Sequence, residues 1–198
     1  MTQQYNTNQE YDEVIAECRT LFSKKLKDYG CAWRILRASS VTDQIFIKAK
    51  RIRTLEVEKE AMVKEGIRPE IIGIINYAII ALIQLEKGAN DHIDFTAEQA
   101  LDSYDHFAAA ARNLLQAKNH DYGEAWRSMR PESYTDLILQ KIIRTKQIED
   151  NHGATLVSEG IDANYFDMLN YAVFYLIRLN EQEKAQHPQP NEHQHRHQ

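Results

Sequence analysis

Apolar residues recur along this chain at spacings of three and four, and they nowhere alternate with period two over a convincing length. Tyr11, Val14, Ile15, Cys18, Leu21, Phe22 and Leu26 form one stripe, which predicts an amphipathic helix of about five turns. Thr7-Asn8-Gln9-Glu10 has capping-box spacing at its start, and Gly30 suits a left-handed stop after Asp28-Tyr29. Ala100, Leu101, Tyr104, Phe107, Ala108, Ala111, Leu114 and Leu115 repeat the stripe, opened by Thr96 to Gln99 and followed by Gly123. Ser40-Val41-Thr42-Asp43 and Ser133-Tyr134-Thr135-Asp136 read as further helix starts, each Asp near the positive end of a helix dipole. These helices should reach the neighbourhood of Glu60 and Asp150. Two final helices are expected over Pro69 to Glu86 and Asp162 to Glu183, with Pro69 in a first turn that needs no N–H. The stretch from Ile71 to Ile83 is apolar nearly all round, which requires burial on several sides. The predicted class is all-α.

The chain also contains one unusual word twice. Asp28-Tyr29-Gly30-Cys31-Ala32-Trp33-Arg34 returns as Asp121-Tyr122-Gly123-Glu124-Ala125-Trp126-Arg127, 93 positions later. From Asp28 to Leu55 against Asp121 to Ile148, 13 of 28 positions are identical, and the match continues at Asn76-Tyr77-Ala78 against Asn170-Tyr171-Ala172. A period near half the chain length means an internal duplication. The expected architecture is a helical bundle with about three main helices per repeat and pseudo-two-fold symmetry. The first repeat covers 1–87, a linker 88–94 and the second repeat 95–183, packed on the first as one globular unit. The Pro-, Gln- and His-rich stretch 184–198 reads as a disordered tail.

A length of 198 residues allows one sizeable core or two small ones sharing an interface. The net charge of -5 argues against a broad electrostatic grip on nucleic acid, though a local basic pocket is compatible with it. Cys18 and Cys31 lack metal-ligand spacing, and no apolar leader precedes the first helix. A reduced cytoplasmic protein is the simplest expectation. The apolar run from Ile71 to Leu85 falls short of the ~20 residues that cross a bilayer, so no membrane association is expected.

While apolar positions drift between the copies, a polar and aromatic set stays fixed. Lys25, Asp28, Tyr29, Trp33, Arg34, Arg37, Lys48 and Arg51 are matched by Lys118, Asp121, Tyr122, Trp126, Arg127, Arg130, Lys141 and Arg144. Arg forks and helix N-termini suit phosphate, and Trp or Tyr can stack a base, so this set is the candidate phosphate- and nucleotide-binding site. The same residues would equally serve a buried ion network that fixes the loop, with Trp33 as a plug. Both readings stand at this stage. For a metal, Asp167 and Asn170 share a helix face and with Glu149 form a candidate Mg²⁺ set. Gly73 replaces Asp167 in the first copy, leaving at most one intact half. A solvated acidic helix end is the alternative.

The pattern Lys-x-x-Asp-Tyr-Gly-x-x-Trp, then Arg-x-x-Ser-x-Thr-Asp, Lys-x-x-Arg and Asn-Tyr-Ala, occurs at Lys25 to Trp33, Arg37 to Asp43, Lys48 to Arg51 and Asn76 to Ala78. It recurs from Lys118 to Ala172. It resembles an uncharacterised bacterial and phage family, called a domain of unknown function and also a nucleotide modification associated domain. A weaker likeness is to the all-α nucleoside triphosphate pyrophosphohydrolases of the MazG and dimeric dUTPase type. Those pair a Glu-rich helix with a Glu-x-x-Asp helix around Mg²⁺; Asp167-x-x-Asn170 only approximates the second element, and the first is missing. The resemblance implies a role in nucleotide metabolism. The expected function is binding of a nucleotide or other phosphorylated small molecule, with Mg²⁺-dependent triphosphate hydrolysis as its enzymatic version. The rival is a non-enzymatic helical scaffold that recruits a protein partner. Whether the chain forms a homodimer is left open.

Overall fold

The computed structural model describes residues 5–58, 63–154 and 159–187. Among the described residues there are six α-helices and no strand: α1 (Thr7–Tyr29), α2 (Ala38–Glu58), α3 (Val63–Lys87), α4 (Ala97–Tyr122), α5 (Pro131–Asp150) and α6 (Ile161–Gln186). Each tryptophan sits on a short 3-10 turn, Ala32–Ile35 or Ala125–Ser128. The central pair is α3 against α6, flanked by α2 and α5, which also touch each other. Ile74, Ile75, Ile79 and Ile83 on α3 are wholly buried, as are Met168, Leu169, Val173 and Leu176 on α6. The helix that is apolar all round is thus the seam between the repeats.

Helix identities follow the apolar stripes, whereas several ends are set by other forces. Asn6 rather than Thr7 caps α1, accepting from Gln9 N, and Thr7 is buried with its hydroxyl on Glu124. At α4 the expected reciprocal cap forms between Thr96 and Gln99. Both α2 and α5 begin ahead of the Ser-x-x-Asp words, so Asp43 and Asp136 lie in second turns. They pair instead across the repeats. The helix expected from Pro69 begins at Val63, which puts Pro69 inside it; there it withholds one turn hydrogen bond and favours a bend. Over Gly66–Lys87 this helix is long and apolar enough, by length and composition, to cross a membrane, but 67% of that window is buried against protein. Residues 184–186, expected as tail, continue α6, and His187 caps it. The expected helix end at Glu60 and the tail histidines His193, His195 and His197 lie outside the described residues.

Gly30 and Gly123 end α1 and α4 with φ 59° and 63°, ψ -148° and -146°. Positive φ was expected, but the extended ψ puts both outside the left-handed helical region, in a conformation that side chains strongly disfavour.

Reciprocal contacts establish the pseudo-two-fold. Tyr11 OH donates to Asn170 Oδ1 at 2.9 Å, and its counterpart Tyr104 OH donates to Asn76 Oδ1 at 2.8 Å. Arg19 pairs with Asp105 at 2.6 Å, and Arg112 with Asp12 at 2.8 Å. Thr42 donates to Glu149 and Thr135 to Glu56, both at 3.1 Å. Asp43 meets Lys146, and Asp136 meets Arg53. Each asparagine also donates to the first helix of its own repeat, Asn76 to Cys18 O and Asn170 to Ala111 O, both at 3.1 Å. Many of the polar residues kept between copies therefore serve the joint between them.

Candidate functional site

Two of the arginines singled out from the sequence are consumed by the fold. Arg34 is 2% exposed; its Nε meets Asp94 Oδ1 at 3.0 Å and its Nη1 donates to Gly88 O at 2.8 Å and to Gln84 Oε1. The Arg34 hydrogen bond holds the Asp94 carboxyl below the usual range. Gln84 in turn donates to Leu36 O at 2.6 Å and Arg34 O at 2.9 Å, tying α3 to the tryptophan turn. Arg127, also buried, faces three carboxylates: Glu10 at 2.8 Å, Glu124 at 2.9 Å and Glu181. Burial works against its charge, but the hydrogen bond and charge of Glu10 outweigh it and raise its pKa. For these two the ion-network reading is the one the geometry supports.

The remaining candidates divide by location. Asp28, Arg37, Arg51 and Arg130 are exposed and line none of the clefts described below, and Asp121 pairs with His120 at 3.3 Å. Arg144 lies with Lys141, Glu159 and Asn164 along a more open groove of about 460 Å³. Lys25, Tyr29, Trp33 and Lys48, by contrast, are brought together around one cleft of about 470 Å³ between α1, the first 3-10 turn and α3. Phe22, Leu36 and Ile80 give it an apolar wall; Glu70, Gly73, Asn76 and Tyr77 line the α3 side. Its volume lies in the range of small-molecule sites. Trp33 packs edge-on against Phe95, ring centroids 6.1 Å apart, and tilts against Phe22 at 6.4 Å. Lys48 Nζ stands 3.5 Å from Glu70 Oε2 and 5.8 Å from the Tyr77 ring centre.

The second repeat builds the same cleft and closes it. Lys118, Tyr122, Gly123, Trp126, Asn170 and Tyr171 occupy the matching stations, but only about 140 Å³ is left. Two substitutions account for this. Phe174 stands where the first repeat has Ile80, and its ring stacks on Trp126 at 4.2 Å with planes 11° apart. Asp167 stands where the first repeat has Gly73, and its carboxylate is gripped by Lys118 Nζ at 2.8 Å and Lys141 Nζ at 2.9 Å. Burial pulls the Lys118 pKa down, but the bond and charge of Asp167 prevail and raise it. In the first repeat that station is Gly73; the end of Lys48 lies across it with its ammonium on Glu70, and Lys25 lines the same cleft.

The candidate Mg²⁺ set does not assemble. The Asp167 oxygens are held by two ammonium groups, the Asn170 oxygen accepts from Tyr11, and Glu149 accepts from Thr42 at the joint between repeats. No group of three or more His, Cys, Asp or Glu suited to a metal occurs among the described residues. These residues do not fit a Mg²⁺ cage.

Gly73, Glu70, Tyr77 and Phe174 were not among the residues the sequence pointed to as binders. For Gly73, Glu70 and Phe174 the signal was present as mismatches between the copies, Gly73 against Asp167, Glu70 against Asn164 and Ile80 against Phe174, whereas Tyr77 is matched by Tyr171. The profile of a family described as nucleotide modification associated domain 1 matches residues 25–85 and 118–179, more than half of the chain. The chain belongs to this family. It carries two copies of the family's domain, and the cleft-lining residues from Lys25 to Ile80 and from Lys118 to Phe174 all fall within the two matched segments. Comparisons with curated proteins and with solved structures give no match.

Proposed function

We propose that this member of the nucleotide modification associated domain family binds a small phosphorylated aromatic metabolite, of nucleotide type, in the cleft of its first repeat. The observation that carries the reading is the pair Lys25 and Lys48, which line an open cleft with a glycine where the other repeat supplies a carboxylate. An ammonium pair of this kind suits a phosphate or carboxylate as a point-charge binder. Trp33, Leu36 and Ile80 offer an apolar bed for a planar ring. The family description supports a nucleotide over other phosphorylated compounds. Hydrolysis is not part of the proposal, because the residues nominated for Mg²⁺ are committed elsewhere.

Calorimetry and thermal shift against nucleosides and their mono-, di- and triphosphates test this, with Trp33 fluorescence as a second readout. A phosphorylated nucleoside should bind with a change in Trp emission, and Lys25→Ala should weaken it about tenfold, the equivalent of ~1.4 kcal/mol. Absence of binding across the whole panel, or binding that Lys25→Ala and Lys48→Ala leave untouched, removes the proposal.

A further inference from the structure

Resting on the reading just given, we infer that the second repeat is a self-liganded copy of the first repeat's site, and that its own side chains trace the ligand. The Asp167 carboxylate stands for the ligand's anionic group, and the Phe174 ring for its aromatic ring.

Three observations converge on this. The clefts share one lysine, two tyrosines, a tryptophan and an asparagine, and Lys141, the counterpart of Lys48, reaches the second through Asp167. What has been added is one anion between two ammonium groups and one ring flat against the indole. Both additions come from α6, at stations where α3 carries Gly73 and Ile80. Both residues line the second cleft.

The template describes a ligand class. Asp167 and Phe174 are seven residues apart on one helix, on nearly the same face, so their axial separation is about 10 Å. A ring at one end and an anion at the other, over that reach, fits a nucleoside monophosphate better than a free base or inorganic phosphate. One carboxylate is enough for both Lys118 and Lys141. In the first repeat Glu70 already takes part of the Lys48 charge. A single phosphate therefore matches the cation count, and a triphosphate exceeds it. The protein should hold one ligand per chain, in the first repeat.

Isothermal titration of the full chain with nucleoside 5′-monophosphates reads this directly. One equivalent should bind to the parent. Gly73→Asp, which copies the second repeat, should abolish binding while keeping the melting temperature. The double variant Asp167→Gly with Phe174→Ile, which copies the first repeat, should bind two equivalents. A parent stoichiometry of two, a double variant that folds and still binds one, or a Gly73→Asp chain that binds normally would each overturn the inference. Those results leave ligand binding itself intact, whereas a parent that binds no phosphorylated nucleoside removes the function reading and the inference with it. Should the double variant fail to fold, Asp167→Gly alone decides: inorganic phosphate should raise its melting temperature more than it raises the parent's. Equal shifts would count against a self-supplied anion.

Discussion

The end of the Lys48 side chain lies across Gly73, so that a Cβ built on that glycine would stand 2.6 Å from both Lys48 Cδ and Cε. The lysine thus occupies the space that a Cβ at this station would take. Because the atoms in the way are the far end of a flexible chain, Gly73→Ala should displace Lys48 rather than disrupt α3. Alanine is favoured over glycine inside a helix by about 1 kcal/mol, so the variant should melt at or above the parent. Its affinity for a phosphorylated nucleoside should drop, since Lys48 is pushed from its place in the cleft. A marked loss of melting temperature would mean that Lys48 cannot yield and that the packing here is rigid.

Arg34 and Arg127 should matter for stability, and unequally. Arg127 separates Glu10, Glu124 and Glu181, so Arg127→Met leaves three carboxylates without their shared cation. Removing one partner of a buried ion pair typically costs about 3–5 kcal/mol. Arg34 faces only Asp94, which is half open to solvent, together with the neutral Gln84 and the Gly88 carbonyl. Arg34→Met should therefore cost less than Arg127→Met. Urea unfolding of the two variants measures the difference; the reverse order would show that the three glutamates are not held by this guanidinium.

The joint between the repeats offers a symmetric test. Tyr11→Phe and Tyr104→Phe each delete one hydroxyl from a buried asparagine, Asn170 or Asn76, at equivalent stations. Each should lose about 1–3 kcal/mol, the range for a buried hydrogen bond whose acceptor is left unsatisfied. The two losses should agree within a few tenths in chemical denaturation. A wide disparity would show that the joint is not symmetric in energy, whatever its geometry.

Helix number, order and burial could be read from the sequence because apolar stripes report a core that all six helices share. The start of α4 could be read as well, but other starts could not, because they depend on local competition: Asn6 caps α1 once the Thr7 hydroxyl has Glu124 as a partner. At the site, comparison of the copies was informative in an unexpected sense. Identity between copies marked residues bound by the pseudo-two-fold, such as Thr42 and Thr135 or Asn76 and Asn170. The cleft declared itself through difference, at Gly73 against Asp167. Arg34 and Arg127 looked like phosphate anchors because guanidinium suits phosphate and carboxylate alike. Their partners Asp94, Glu10 and Glu181 are distant in sequence and not shared between the copies, so no motif pointed to them.

Glu56 predicts a dependence on pH. It sits at the joint of α2 and α5 with its Oε2 accepting from Thr135 at 3.1 Å and from Tyr175 at 2.9 Å. Burial pushes its carboxyl above the usual range, the two hydroxyls pull the other way with less effect, and Glu132 and Asp136 add to the rise. A carboxyl raised by folding binds its proton more tightly in the native state, so its contribution is fully present below the unfolded value of about 4.3 and is lost as pH climbs through the folded value. At neutral pH the ionised group is a liability. Glu56→Gln keeps an oxygen for both hydroxyls and removes the charge, so it should melt a few degrees above the parent at pH 7.5. Near pH 4 that advantage should vanish, because the parent is then protonated as well. Melting curves of both proteins across this range decide the matter: a variant less stable than the parent at pH 7.5 would mean that the joint needs the carboxylate charged.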